Sequence, residues 1–121
     1  MSANLCIDWG NTRIKVAIFN NEDQLIDMKV FSEDGIREGL TEVFAEYKPA
    51  KGILCSVTES SVAIEPFLKE NMRALVVMNN NTPVPIMNAY SSPGTLGADR
   101  VAMAVGAYFA NPDKNNLVVC L

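Results

Sequence analysis

The sequence predicts an α/β domain built on a mixed sheet, with a three-stranded antiparallel meander first and parallel crossovers after it. Two observations carry this expectation. Apolar or alternating runs at residues 4–9, 13–19 and 24–31 are joined by turns too short to hold a helix. Runs with helical spacing enter only after the third of these, then alternate with short buried strands in the order βββαβαβ. With 121 residues, 49% of them apolar, the chain can bury the core of one ordinary domain.

The first two strands flank Gly10-Asn11, residues that tolerate the positive φ of a tight hairpin turn. Asn20-Asn21-Glu22-Asp23 makes the second turn, and the third strand sets Leu25, Asp27, Lys29 and Phe31 opposite Ile26, Met28 and Val30. Ser32 is the expected N-cap of a helix whose apolar face is Ile36, Leu40, Val43, Phe44 and Tyr47, and Pro49 stops it. A buried strand follows at residues 52–57. Ser60 or Ser61 then caps a second helix to about Met72, where Pro66 restricts the start, and residues 73–78 form another strand. Pro83 and Pro85 keep residues 84–89 extended. A loop from Tyr90 opens a helix over residues 98–110 that is apolar on nearly all sides, a composition unsuited to an exposed helix. Asn111-Pro112 ends it, and residues 117–121 read as one more strand. This order is the layout of an RNase H-like, actin-type ATPase half.

Composition removes several function classes. No histidine is present, which excludes Ser-His-Asp and Cys-His nucleophiles and every histidine-containing metal site, so proton transfer falls to carboxylate, lysine or tyrosine. A formal charge of −4 without any Lys/Arg run argues against nucleic acid or an anionic membrane as a partner. Cys6, Cys55 and Cys120 each sit inside an apolar run with no Cys-x-x-Cys pair, the pattern of reduced core residues. No apolar stretch reaches membrane-spanning length and no secretory leader precedes Asp8, so a soluble, cytoplasmic protein is expected.

The chemistry concentrates in Asp8-Trp9-Gly10-Asn11-Thr12-Arg13-Ile14-Lys15. Gly10 lets an anion approach the backbone, Asn11 and Thr12 donate hydrogen bonds, and Lys15 adds charge. Asp8 beside phosphate implies a cation between them, ordinarily hydrated Mg²⁺. The alternative is a plain hairpin in which Asp8 bonds turn amides and Lys15 points to solvent. Downstream, Asp99 lies in the first turn of a helix behind two glycines and beside Arg100. It reads either as a carboxylate favoured by the helix dipole or as a base that orients a substrate hydroxyl for attack on phosphorus.

Asp8-x-Gly10-Asn11-Thr12-x-x-Lys15, together with Tyr90 and the Gly97-Ala98-Asp99-Arg100 loop, closely resembles type III pantothenate kinases of the acetate and sugar kinase/Hsp70/actin superfamily, along the whole chain. The resemblance implies that Asp8, Gly10, Asn11, Thr12, Arg13 and Lys15 bind the phosphates of Mg²⁺-ATP, with Asp8 toward the metal. Tyr90, Gly97, Ala98, Asp99 and Arg100 would hold pantothenate, with Asp99 as proton acceptor. It also implies a homodimer and a monovalent cation, K⁺ or NH₄⁺, held in the family by an aspartate on the strand that opens a second domain. Around Val118-Val119-Cys120-Leu121 there is no aspartate, and Cys120 stands in that region. On this reading residues 1–116 are the N-terminal actin-like domain and residues 117–121 the first strand of a second. The expected activity is ATP-dependent phosphorylation of pantothenate, the first step of coenzyme A biosynthesis, with these residues alone inactive. A non-catalytic regulator or a small-molecule binding module of the same fold are the other readings.

Overall fold

The structure is a computed structural model that describes residues 2–79, 81–86 and 96–119. The chain divides into two compact units, Met1–Val77 and Met78–Leu121. The first contains β1 (Asn4–Trp9), β2 (Ile14–Phe19), β3 (Leu25–Phe31), α1 (Ile36–Tyr47), β4 (Lys51–Ser56), a 3₁₀ turn (Glu59–Ile64) and α2 (Glu65–Asn71), with β5 (Ala74–Met78) ending at the boundary. The sheet order is β3-β2-β1-β4-β5, antiparallel from β3 to β1 and parallel from β1 to β4. The expected meander and crossovers are therefore both present.

Alternation along the strands decides which face is buried. Leu5, Ile7 and Trp9 of β1, Ile14, Val16 and Ile18 of β2, and Leu54 of β4 all enter the core. Opposite them pack Ile36, Leu40 and Val43 of α1, with Ile64, Leu68 and Met72 from the second crossover. Each such fully buried aliphatic side chain contributes roughly 1.5–3 kcal/mol. On the other face of the sheet, Asp8 and Lys15 form a directly opposed cross-strand pair.

The turns differ from expectation in instructive ways. α1 is capped by Gly35, not Ser32, because the Gly35 amide first bonds the Ser32 carbonyl at 3.2 Å and the chain makes a turn before the helix begins. Its other end is set by Lys48, left-handed at φ 48°, whose amide reaches the Phe44 carbonyl just before Pro49. The second helix starts as a 3₁₀ turn capped by Thr58, and α2 proper begins only at Glu65, with Pro66 in its first turn where a missing amide costs nothing. In the β2–β3 turn the Asn20 side-chain oxygen accepts from the amides of Glu22 and Gln24 while Asp23 takes φ 60°. The register between β2 and β3 then shifts at Ile18/Phe19, so that Leu25 and Ile26 are both exposed.

One latch joins α1 to the edge strand. The Tyr47 hydroxyl donates to Asp27 Oδ2 at 2.7 Å, and Lys29 Nζ lies 3.6 Å from the same oxygen. That hydrogen bond holds the Asp27 carboxyl below its usual range and pushes the Tyr47 phenol up to about 12. The signs follow directly. The Asp27 contribution to stability is present above ~3.9 and fades as pH falls through its lowered value. The Tyr47 contribution is complete below ~10 and fades as pH rises through about 12. Spectrophotometric titration is therefore expected to show one phenol ionising near 12. In Asp27→Asn that component moves down toward ~10. An unchanged titration curve would sever the latch from the shift.

The second unit contains α3 (Ala98–Ala110), with the bounds read from the sequence and Gly97 as N-cap. The composition of α3 is that of a covered helix, yet within this chain only its Ala98 is buried, and Met103, Tyr108 and Phe109 are exposed. Residues 115–119 have no regular structure, so the strand expected at 117–121 does not form over 117–119, and its last two residues lie outside the described ones. A strand needs a neighbour for its amides and carbonyls, and residues 117–119 have none among the described residues. Of the extended piece expected at 84–89, residues 85 and 86 bend and the remainder beyond 86 lies outside the described residues.

Candidate functional site

The β1–β2 connection is a four-residue loop, Gly10 to Arg13, closed by the Gly10 amide donating to the Arg13 carbonyl at 2.9 Å. Neither Gly10 nor Asn11 adopts positive φ, contrary to expectation, because a loop of this length does not require a mirror-image two-residue turn. Glycine is needed at position 10 for a different reason. A Cβ there would lie 3.0 Å from the Arg13 carbonyl oxygen that closes the loop.

Because β1 and β4 are parallel, their carboxyl ends open on one sheet edge, the edge at which β2 begins. Ligands of α/β sheets bind beyond such edges. Asp8, Asn11, Thr12, Arg13 and Lys15 gather there, all exposed. None of their side chains makes a hydrogen bond or ion pair among the described residues. Asp8 does not bond the turn amides, as a purely structural hairpin would have it. The cluster holds two cations against one carboxylate, locally positive in a chain of net charge −4.

Asp8 lies opposite Lys15 on one side and Cys55 on the other. No three His, Cys, Asp or Glu side chains among the described residues come together to hold a metal. A single exposed carboxylate fits Mg²⁺ that arrives with phosphate and keeps most of its waters, not a metal caged by protein. Nothing at residues 117–119 offers a carboxylate to a monovalent cation. The neighbouring Cys6 thiol is half-buried and burial pushes its pKa up, which makes it a poor nucleophile.

The second group of expected site residues opens α3 in the other unit. The Gly97 carbonyl accepts from the amides of Arg100 at 3.1 Å and Val101 at 3.4 Å, so the helix starts immediately after it. Asp99 is folded back over Gly97, its Oδ1 in the space that a Cβ would take, so a methyl there would push this flexible carboxylate end aside. The carboxylate has no partner among the described residues, and the helix N-terminus favours its charge. Arg100 lines a concavity of about 510 Å³ with Met103, Ala104, Val118 and Val119, an apolar hollow with one cation. Tyr90 lies outside the described residues. The structure thus gathers Asp8 to Lys15 in one unit and Gly97 to Arg100 in the other.

Sequence reasoning did not single out a polar cluster at the same sheet edge. The Trp9 indole donates to Ser60 Oγ at 3.0 Å, Ser60 Oγ donates to Glu33 Oε1 at 2.5 Å, and Thr58 Oγ1 lies 2.6 Å from Ser60 Oγ. The one available signal was a lone tryptophan ending β1 and a run of hydroxyls after β4.

A family model described as Type III pantothenate kinase matches residues 4–121. Type III pantothenate kinases of Azobacteroides pseudotrichonymphae, Christiangramia forsetii and Bacteroides fragilis are 34%, 36% and 32% identical over 116, 118 and 116 residues. Those alignments cover 95%, 96% and 96% of this chain but 46%, 47% and 47% of the relatives, so the chain spans about half the length of the curated relatives it matches. Since both the family match and these alignments run over nearly all of its residues, the chain belongs to the type III pantothenate kinase family.

Proposed function

We propose that this chain supplies the nucleotide-phosphate and pantothenate-binding half of a kinase that moves the γ-phosphoryl group of ATP to the primary hydroxyl of pantothenate, opening coenzyme A biosynthesis. The observation that carries the reading is the uncommitted polar cluster on the β1–β2 hairpin, with Asp8, Asn11, Thr12, Arg13 and Lys15 all free to meet a ligand. Asn11 and Thr12 donate to phosphate oxygens, and Arg13 and Lys15 balance their charge. Asp8 would hold Mg²⁺, which when bound neutralises charge on the phosphates. Asp99 accepts the proton of the attacking hydroxyl, and Arg100, beside its apolar hollow, suits the carboxylate of an otherwise uncharged substrate. Tyr90, Gly97 and Ala98 complete the pantothenate contacts. The monovalent cation remains part of the proposed family chemistry, with no step assigned to it. A cytoplasmic site of action accords with the absence, among the described residues, of any helix long and apolar enough to cross a membrane.

Phosphoryl transfer depends on enclosing the phosphates and positioning both reactants. The 121 residues are therefore expected to bind Mg²⁺-ATP weakly and to show no pantothenate-dependent ADP release above background. Titration calorimetry tests the site itself. Asp8→Ala and Lys15→Ala should each remove the weak heat of binding, and an unchanged isotherm in Asp8→Ala would overturn the assignment.

The same reading includes a homodimer formed through α3, whose Met103, Tyr108 and Phe109 present apolar surface to solvent. Sedimentation should show a concentration-dependent dimer that Phe109→Glu dissociates, Phe109 being 66% exposed and free to change without disturbing a core. A clean monomer at high concentration would remove this part of the proposal.

A further inference from the structure

The Trp9–Ser60–Glu33–Thr58 cluster has a hydrogen-bond direction that chemistry alone settles. A serine hydroxyl has one proton and two lone pairs. Ionised Glu33 can only accept, so the Ser60 proton goes to Glu33 Oε1. The indole nitrogen can only donate, so Trp9 takes one lone pair, and the hydroxyl of Thr58 takes the other. Every bonding position on Ser60 Oγ is thereby filled.

Three distant parts of the chain meet at that one oxygen. Trp9 ends β1, directly between Asp8 and Gly10, and Ser60 is 51 residues away from it. Glu33 lies in the β3–α1 connection, 27 residues from Ser60. The Trp9 carbonyl also accepts the Val57 amide at 3.1 Å, so both the backbone and the side chain of Trp9 are tied to the segment leaving β4. Trp9 is only 3% exposed, whereas Ser60 is exposed. An indole N–H that loses Ser60 therefore either moves or takes a surface water, and in both cases it loses the fixed acceptor that ties it to Glu33 and Thr58. Either outcome loosens the residue on which the hairpin is mounted.

We propose that Ser60 and Glu33 are positioning residues that, through Trp9, hold the end of β1 and so fix the phosphate-binding hairpin. The proposal rests on the reading of that hairpin as the nucleotide-phosphate site. Neither residue touches the phosphates, and each acts through the indole.

Amide hydrogen exchange in this chain tests it, because two amides report on the mounting and a third serves as control. The Gly10 amide closes the hairpin on Arg13, and the Val57 amide binds the Trp9 carbonyl. The Lys48 amide, bonded to the Phe44 carbonyl, ends α1 away from the cluster. In Ser60→Ala the Gly10 and Val57 amides should exchange about two- to tenfold faster, the range for losing one part-buried hydrogen bond, with Lys48 unchanged. Ser60→Thr, which keeps a hydroxyl, should restore protection. Glu33→Ala, at an exposed position that does not threaten folding, should accelerate the same two amides. Equal acceleration of all three amides in Ser60→Ala would reduce the cluster to general stability and overturn the proposal, as would Gly10 exchange unchanged in both variants. Mg²⁺-ATP affinity separates this from the underlying reading. Asp8→Ala should abolish binding while Gly10 stays protected, whereas Ser60→Ala should weaken binding as Gly10 loses protection. ATP binding that survives Asp8→Ala refutes the site, and binding lost in Asp8→Ala but untouched in Ser60→Ala refutes the positioning role alone.

Discussion

Asp99→Asn is expected to lower pantothenate phosphorylation by the full-length protein ~10²–10⁴-fold while leaving pantothenate binding measurable, the loss typical of a positioned base. Asparagine keeps the size of the side chain and its place in the first turn of α3, but it cannot accept a proton. What recommends Asp99 is how it is held. It lies in the first turn of a helix whose N-terminus favours its charge, folded over Gly97, and without any partner among the described residues. A carboxylate kept only for capping would be expected to bond the helix amides, and the Asp99 carboxylate makes no hydrogen bond among the described residues. Gly97→Ala should lower turnover in the same direction, since the new methyl displaces the carboxylate. Steady-state turnover with saturating ATP measures both effects. Near-normal rates in Asp99→Asn would take the proton-acceptor role away from it.

What could be read from the sequence was local. The hairpin that carries Asp8, Asn11, Thr12, Arg13 and Lys15 is contiguous, so alternation in two runs and a turn between them suffice to place it. α3 was legible to the residue because Gly97 before it and Asn111-Pro112 after it are strong punctuation. Ser32 misled because the capping signal is a residue type, whereas the cap is decided by where the backbone turn from Ser32 to Gly35 releases the chain. Gly10 was expected to supply positive φ and instead supplies space, a distinction that only the loop length and the position of the Arg13 carbonyl make. Residues 117–119 have the composition of a strand, yet composition cannot provide the neighbour that makes one. The Ser60 cluster was invisible for the same reason, since its contacts span 27 and 51 residues and no local pattern encodes them.

Leu54→Ala is expected to cost about 2–5 kcal/mol, the range for emptying a fully buried leucine site, out of a total domain stability of about 5–15 kcal/mol. Leu54 is 0% exposed on β4, beside Ile7 in the parallel register and against the core face that α1 covers. Little can collapse into the space, because Ile7 and its strand neighbours are fixed by ladders on both sides, β2 and β4. Val30→Ala is the matched comparison. That side chain is 50% exposed on the edge strand β3, so its loss should fall within about 0.5 kcal/mol. Urea unfolding followed by circular dichroism compares the two, and a Leu54→Ala cost below 1 kcal/mol would mean that the core is not organised around β4 as described. The consequence reaches the site through β1. Asp8 follows Ile7 directly, so a variant that loosens the β1–β4 pair loosens the mounting of the β1–β2 hairpin, the proposed phosphate site, even when the protein remains folded. Leu54→Ala should therefore weaken Mg²⁺-ATP binding at temperatures well below its own melting transition, and Val30→Ala should not.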